Sequence, residues 1–206
     1  MLANHALSGV SEAKAEPTPS TKAPTDTALL ARMADGDRLA MQTFYTRHSV
    51  RVFRFALRII GDPSIAEDVI SDVFLDVWRQ AGRFEGRSAV STWLLAITRH
   101  KAYAALRRRH VEYVKDDVME QLEDSADMPD ATLEKDARSR ILRRCLGELT
   151  PAHREIIDLV YYHERSVAEV AQIFAIPENT VKTRLFYARK RLATLVRDAG
   201  IDREWL

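Results

Sequence analysis

The feature that most constrains this chain is a charged break in its middle. Residues 115 to 137 hold nine acidic residues and two lysines, with Pro129 and few apolar side chains. Such a stretch cannot bury a core and reads as a flexible linker. Folding must then take place on either side of it, in two small modules, which 206 residues allow. The first 25 residues, around Glu16-Pro17-Thr18-Pro19-Ser20, lack periodicity and read as a disordered tail. The expected division is tail 1–25, first module 26–112, acidic linker 113–136 and second module 137–206.

Both modules read as all-helical. Alanine, leucine, arginine and glutamate dominate, glycine and proline number seven each, and no alternating strand pattern or Asn-Gly hairpin signal appears. In the first module a helix begins at Leu29, Leu30 and Met33 and stops near Asp35-Gly36-Asp37. A longer one runs from about Leu39 to Ile60, with Phe44, Val52, Phe53, Ala56, Leu57 and Ile60 apolar. Ser64-Ile65-Ala66-Glu67 has capping-box spacing and predicts a start at Ile65. After a loop from Arg83 to Val90, a helix from Ser91 carries Trp93, Leu94 and Ile97 and ends in Arg107-Arg108-Arg109-His110.

The second module opens around Ala137. Thr150 suits an N-cap with Pro151 in the first turn, and Ile156, Ile157, Val160 and Tyr161 supply an apolar face. Ser166-Val167-Ala168-Glu169 is a second capping box. Its short helix ends at Ala175-Ile176-Pro177, and a last helix runs from Glu178 to about Asp198. Two helices across so short a turn are the layout of a helix-turn-helix, whose second helix enters the major groove. On that helix Val181, Leu185, Ala188 and Leu192 share one side. Asn179, Thr183, Phe186 and Lys190 lie opposite, flanked by Thr180, Lys182 and Tyr187. No acid interrupts the helix between Glu178 and Asp198. Hydroxyls, an amide, cations and aromatics suit base edges and phosphates. Arg184, Arg189 and Arg191 are better placed for phosphates or internal packing. The plain alternative is an amphipathic bundle helix whose Phe186 and Tyr187 meet a protein partner.

Leu149-Thr150-Pro151-Ala152-His153-Arg154-Glu155, the Ser166–Phe174 helix, and Ile176-Pro177-Glu178-Asn179-Thr180-Val181-Lys182-Thr183-Arg184 together resemble region 4 of sigma-70 factors. The likeness continues through Tyr187-Ala188-Arg189-Lys190-Arg191-Leu192. It implies that this module reads the −35 promoter element through Asn179, Thr180, Lys182, Thr183, Arg184, Phe186, Tyr187 and Lys190.

Ala66-Glu67-Asp68-Val69, Phe74-Leu75-Asp76-Val77-Trp78-Arg79, Phe84 and Ser91-Thr92-Trp93-Leu94 resemble region 2 of the same family. That implies docking on the clamp of the largest subunit of core RNA polymerase, and reading and melting of the −10 element. Asp68, Asp72 and Asp76 fall on one stripe beside Ser71 and Leu75, a docking face for a basic partner. With Trp78, the residues Asp68, Ser71, Asp72 and Leu75 are the expected polymerase contacts. For the −10 element the loop supplies Arg83, Phe84, Arg87 and Ser88. Ser91, Arg99, His100, Lys101, Arg107 and Arg108 follow on the helix. Two modules and a linker, with no other regions, resemble the extracytoplasmic-function (ECF) group. The implied partners are core polymerase at its clamp and flap, promoter DNA and an anti-sigma factor, within a stress response.

An enzyme reading finds no glycine-rich phosphate loop, no G-x-S-x-G and no zinc signature. No catalytic residue, metal or cofactor is expected. The single cysteine, Cys145, excludes an internal disulfide, reads as a buried small hydrophobe and fits a reducing cytoplasm. No signal peptide or apolar span is visible, so no membrane insertion is expected. The formal net charge is only +1, so any DNA-binding surface must be local. A stand-alone helix-turn-helix regulator remains the rival, separable by whether DNA binding depends on polymerase.

Overall fold

The computed structural model describes residues 23–116 and 133–200, with side chains over 23–109 and 139–200. Most of the tail and the centre of the linker lie outside these residues. Among the described residues there is no strand.

The first module is built from α1 (Asp26–Ala34), α2 (Arg38–Ile60), α3 (Pro63–Gln80), a 3₁₀ turn (Ala81–Arg83) and α4 (Val90–Asp116). Asp37 caps α2 by accepting from the Leu39 and Ala40 amides, and it also pairs with Arg32 at 2.6 Å. The Ala40 amide first, then the Arg32 guanidinium, hold its carboxyl below the usual range. The tight α1–α2 corner follows from that one carboxylate. Gly61, at φ 77°, closes α2 in the left-handed conformation that glycine adopts freely. The capping box expected at Ser64 does not form. Asp62 accepts from the Ile65 amide instead and Pro63 takes the first turn, so the helix starts two residues earlier and Ser64 stands inside it. Leu30, Met33, Phe44, Val52, Val73 and Leu94 are among the buried core. α4 runs past the expected boundary at residue 112, to Asp116.

The second module comprises α5 (Leu133–Gly147), α6 (Pro151–Ile157), a π-helical segment (Asp158–Tyr162), α7 (Val167–Phe174) and α8 (Glu178–Asp198). α5 begins before Ala137, where the module was expected to open. Thr150 caps α6 and Ser166 with Glu169 forms the reciprocal capping box of α7, both as read from the sequence. Arg154 donates to the carbonyls of Leu146 (3.1 Å), Gly147 and Leu149, closing the exposed C-terminal end of α5. Tyr161 departs from the expected face. In the π segment the His163 amide reaches the Asp158 carbonyl at 3.0 Å, a wider turn than an α-helix makes. That turns Tyr161 outward to 57% exposure, where the Arg189 guanidinium stacks 5.3 Å from its ring. Ala175 ends α7 at φ 52°, a left-handed conformation without a glycine.

The modules pack against each other. Phe55 of α2 and Leu95 of α4 are buried in the core of the second module, with Ile156, Leu159, Val170 and Phe174. α2 therefore has two apolar faces, one for its own bundle and one for the neighbour, as expected of a helix buried on more than one side.

Candidate nucleic-acid interface

α8 sorts its residues as its periodicity requires. Val181, Leu185 and Ala188 are buried and Leu192 is partly buried. Asn179, Lys182, Thr183, Phe186, Tyr187 and Lys190 are exposed, with Thr180 and Arg184 half-buried at the margin. Phe186 is 62% and Tyr187 55% exposed, their rings edge to face at 5.4 Å. Two uncovered aromatics cost apolar hydration and invite a partner surface. The Thr183 hydroxyl donates back to the Asn179 carbonyl at 2.9 Å. Lys182 lies 4.0 Å from Glu178, with both largely in solvent, so the lysine is free to move.

The first module divides its expected DNA residues into two sets. Arg83, Arg87, His100, Arg107 and Arg108 are exposed. Arg87 pairs with Glu85 in full solvent. Phe84 packs on Trp93 at 5.2 Å, and both rings lean on the core, so Phe84 shapes the loop; Ser88 is half-buried. The remaining residues are already engaged. The Lys101 ammonium meets Asp76 at 2.7 Å. Ser91 accepts a hydrogen bond from Arg165 of the second module at 2.8 Å. Arg99, an expected −10 contact, donates instead to Glu155 of α6 at 2.8 Å, with the Phe174 ring 4.3 Å below it. The Tyr103 hydroxyl donates to the same carboxylate. Burial, then that hydrogen bond, push the Tyr103 phenol up to about 12. Residue spacing showed α4's outer face but could not show what lies against it.

On α3 the expected docking face is exposed at Asp68, Ser71 and Leu75, the last at 51%. Asp72 is half-buried. Trp78 instead packs against the core, so it supports the helix more than it offers a contact. Asp76 is held by Lys101 and adds less free charge to the stripe than the sequence suggested. Cys145 is buried at 3% exposure, and burial pushes its thiol up, away from the reactive thiolate. Among the described residues no helix is long and apolar enough to cross a membrane.

The comparisons with known proteins divide along the same two modules. Residues 44–111 match the family model for Sigma-70 region 2, and residues 139–192 that for Sigma-70, region 4. The chain is 30% identical over 172 residues to the ECF RNA polymerase sigma factor SigK of Mycobacterium bovis, covering 80% of this chain and 90% of that one. It is 33% identical over 165 residues to SigK of Mycolicibacterium vanbaalenii, covering 77% and 82%. Among solved structures, it resembles the sigma factor RpoE in complex with the anti-sigma factor NepR from Bartonella quintana. The TM-score is 0.64 at 25% identity, over 76% of this chain and 98% of that one. CnrH in complex with the cytosolic domain of CnrY shares the fold at TM-score 0.61 and 22% identity, over 85% and 98%.

Proposed function

The chain belongs to the ECF branch of the sigma-70 family, and on that premise we propose how its residues share the work of starting transcription. As a sigma factor it binds core RNA polymerase and directs initiation at particular promoters. α8 reads the −35 element, with Lys182, Phe186 and Tyr187 meeting bases and Lys190 and Arg184 meeting phosphates. The exposed, acid-free face of α8 carries this reading. Arg83, Arg87, Ser88, Ser91, Arg99, His100, Arg107 and Arg108 serve the −10 element, with Lys101 and Phe84 shaping their surroundings. Asp68, Ser71, Asp72 and Leu75 dock on the clamp of the polymerase, with Trp78 behind them.

The chain performs no bond chemistry of its own; the polymerase makes the transcript. Its place of work is the cytoplasm. An anti-sigma factor controls it, as the bound partner of the Bartonella relative suggests, and the setting is a stress response. The test mixes purified protein with bacterial core polymerase and a library of promoter fragments, then maps transcript starts. Initiation that requires both components, at sites sharing −35 and −10 elements, is expected. Sequence-specific DNA binding by the chain alone, with no polymerase binding, would make it a stand-alone regulator.

A further inference from the structure

Helix α2 has no part in the function proposed above, yet its charge is one-sided. Its 23 residues carry five arginines and no aspartate or glutamate. Four of the five, Arg47, Arg51, Arg54 and Arg58, follow at spacings of four, three and four residues, which sets them in a single row along the helix. The row is about 16 Å long at the 1.5 Å rise of a helical residue. The fifth, Arg38, is exposed on the opposite side of the helix by its period.

A solvated helix face is ordinarily laced with opposite charges three and four residues apart, and like charges at those spacings weaken the helix. Here the neighbours are Arg47 with Arg51, Arg51 with Arg54, and Arg54 with Arg58. The two ends of the row are balanced within the fold. Arg47 pairs with Asp26 and donates to the Pro24 carbonyl, and Arg58 stands 2.8 Å from Asp158. The middle is not balanced. Arg51 is exposed, and among the described residues neither it nor Arg54 meets a carboxylate. Arg54 donates to the Tyr162 hydroxyl at 2.8 Å, which orients the guanidinium without cancelling its charge.

The row also lies on the side of the first module where α4 is assigned to DNA. Arg54 of α2 reaches Tyr162 and Arg99 of α4 reaches Glu155, both in the second module, so the two arginines come from one side of the first. An arginine fork matches phosphate oxygens two at a time. A duplex carries a phosphate on each strand every 3.4 Å or so of its axis, about 3.4 Å apart in any sequence, so a row of this length meets several in any register.

We infer that the arginine row of α2, through Arg51 and Arg54, grips the phosphate backbone of the duplex next to the −10 element, whatever its sequence. The partner is nucleic acid rather than an acidic protein because the row continues the side of α4 given to DNA. This inference rests on the −10 assignment of α4.

The experiment uses the chain bound to core polymerase and a promoter fragment on which that complex initiates. Fluorescence anisotropy of the labelled fragment gives affinity between about 50 and 200 mM salt, where each phosphate contact adds about 0.9 to the fall of log affinity with log salt. Arg51→Gln should lower that slope by about 0.9 and Arg51→Gln/Arg54→Gln by about 1.8, equally on every promoter. Arg51→Lys keeps the charge and should keep the slope. Arg38→Gln removes the same charge from the far side of α2 and should leave the slope alone. Circular dichroism checks that each variant keeps its helices, and competition against a second sigma factor checks that binding to core polymerase is unchanged. An unaltered slope in the double variant overturns the inference. So does a loss of polymerase binding with the slope intact, which would make the row a protein-docking face. Initiation by the unaltered chain tests the sigma-factor reading: if it initiates and the row fails, that reading stands, and if it does not initiate, both fall.

Discussion

Single residues on α8 are exposed enough for their roles to be tested without unfolding the protein. Phe186→Ala removes a side chain that touches little of the core, so thermal stability should move by no more than about 0.5 kcal/mol. If the ring meets bases, initiation at the cognate promoter should fall roughly 5- to 150-fold, the range for a lost base contact of about 1–3 kcal/mol. Melting curves and transcript yield, taken together, check this. Tyr103 makes a different prediction. Its phenol, held up to about 12 by burial and by Glu155, contributes stability that is fully present below the ordinary tyrosine range near 10. That contribution is lost as pH rises through about 12. Tyr103 should therefore ionise late in an ultraviolet titration, and Tyr103→Phe should abolish that phase. Of the two, Tyr103 drew no expectation from the sequence, and only Phe186 was singled out and assigned a face there. Its face follows from helical period alone, whereas Tyr103 needed Glu155 brought in from over fifty residues away.

At the scale of elements, local signals set most helix ends. Thr150 with Pro151, and Ser166 with Glu169, satisfy orphan amides within three residues, so no distant contact was needed to place them. Ser64 failed because Asp62 and Pro63 offered a better cap two residues earlier. The turn of the helix-turn-helix is strained at Ala175, φ 52°. Ala175→Gly should relieve that strain and raise the melting temperature, by about 0.5 kcal/mol after the extra freedom of the unfolded glycine is subtracted. A lower melting temperature would show that the methyl group contributes packing that outweighs the strain. On α2, Phe55 was absent from the expected apolar stripe, because it belongs to a different one. It is fully buried against the second module, 5.3 Å from the His163 ring. Phe55→Ala should cost about 3–5 kcal/mol, seen as a lower denaturation midpoint.

For the molecule as a whole, the proposed reading assigns the two outward faces, on α3 and α8, to different partners. The α3 face at Asp68, Asp72 and Leu75 should govern assembly with polymerase. Asp72→Lys combined with Leu75→Ala should weaken binding to core polymerase at least about tenfold while leaving helix content intact. A competition assay against a second sigma factor measures it. Unchanged competition would move the docking face elsewhere on the first module.

The sequence by itself determined the helical class and which side of α8 faces outward. Each depends on residues near one another in the chain, through composition, period and capping. The tertiary structure alone decided that the modules close on one another, that Arg99 faces Glu155 rather than solvent, and that the π segment turns Tyr161 away from the core. These depend on pairings between distant segments, and a guanidinium reads the same in a sequence whether it awaits a phosphate or already holds a carboxylate.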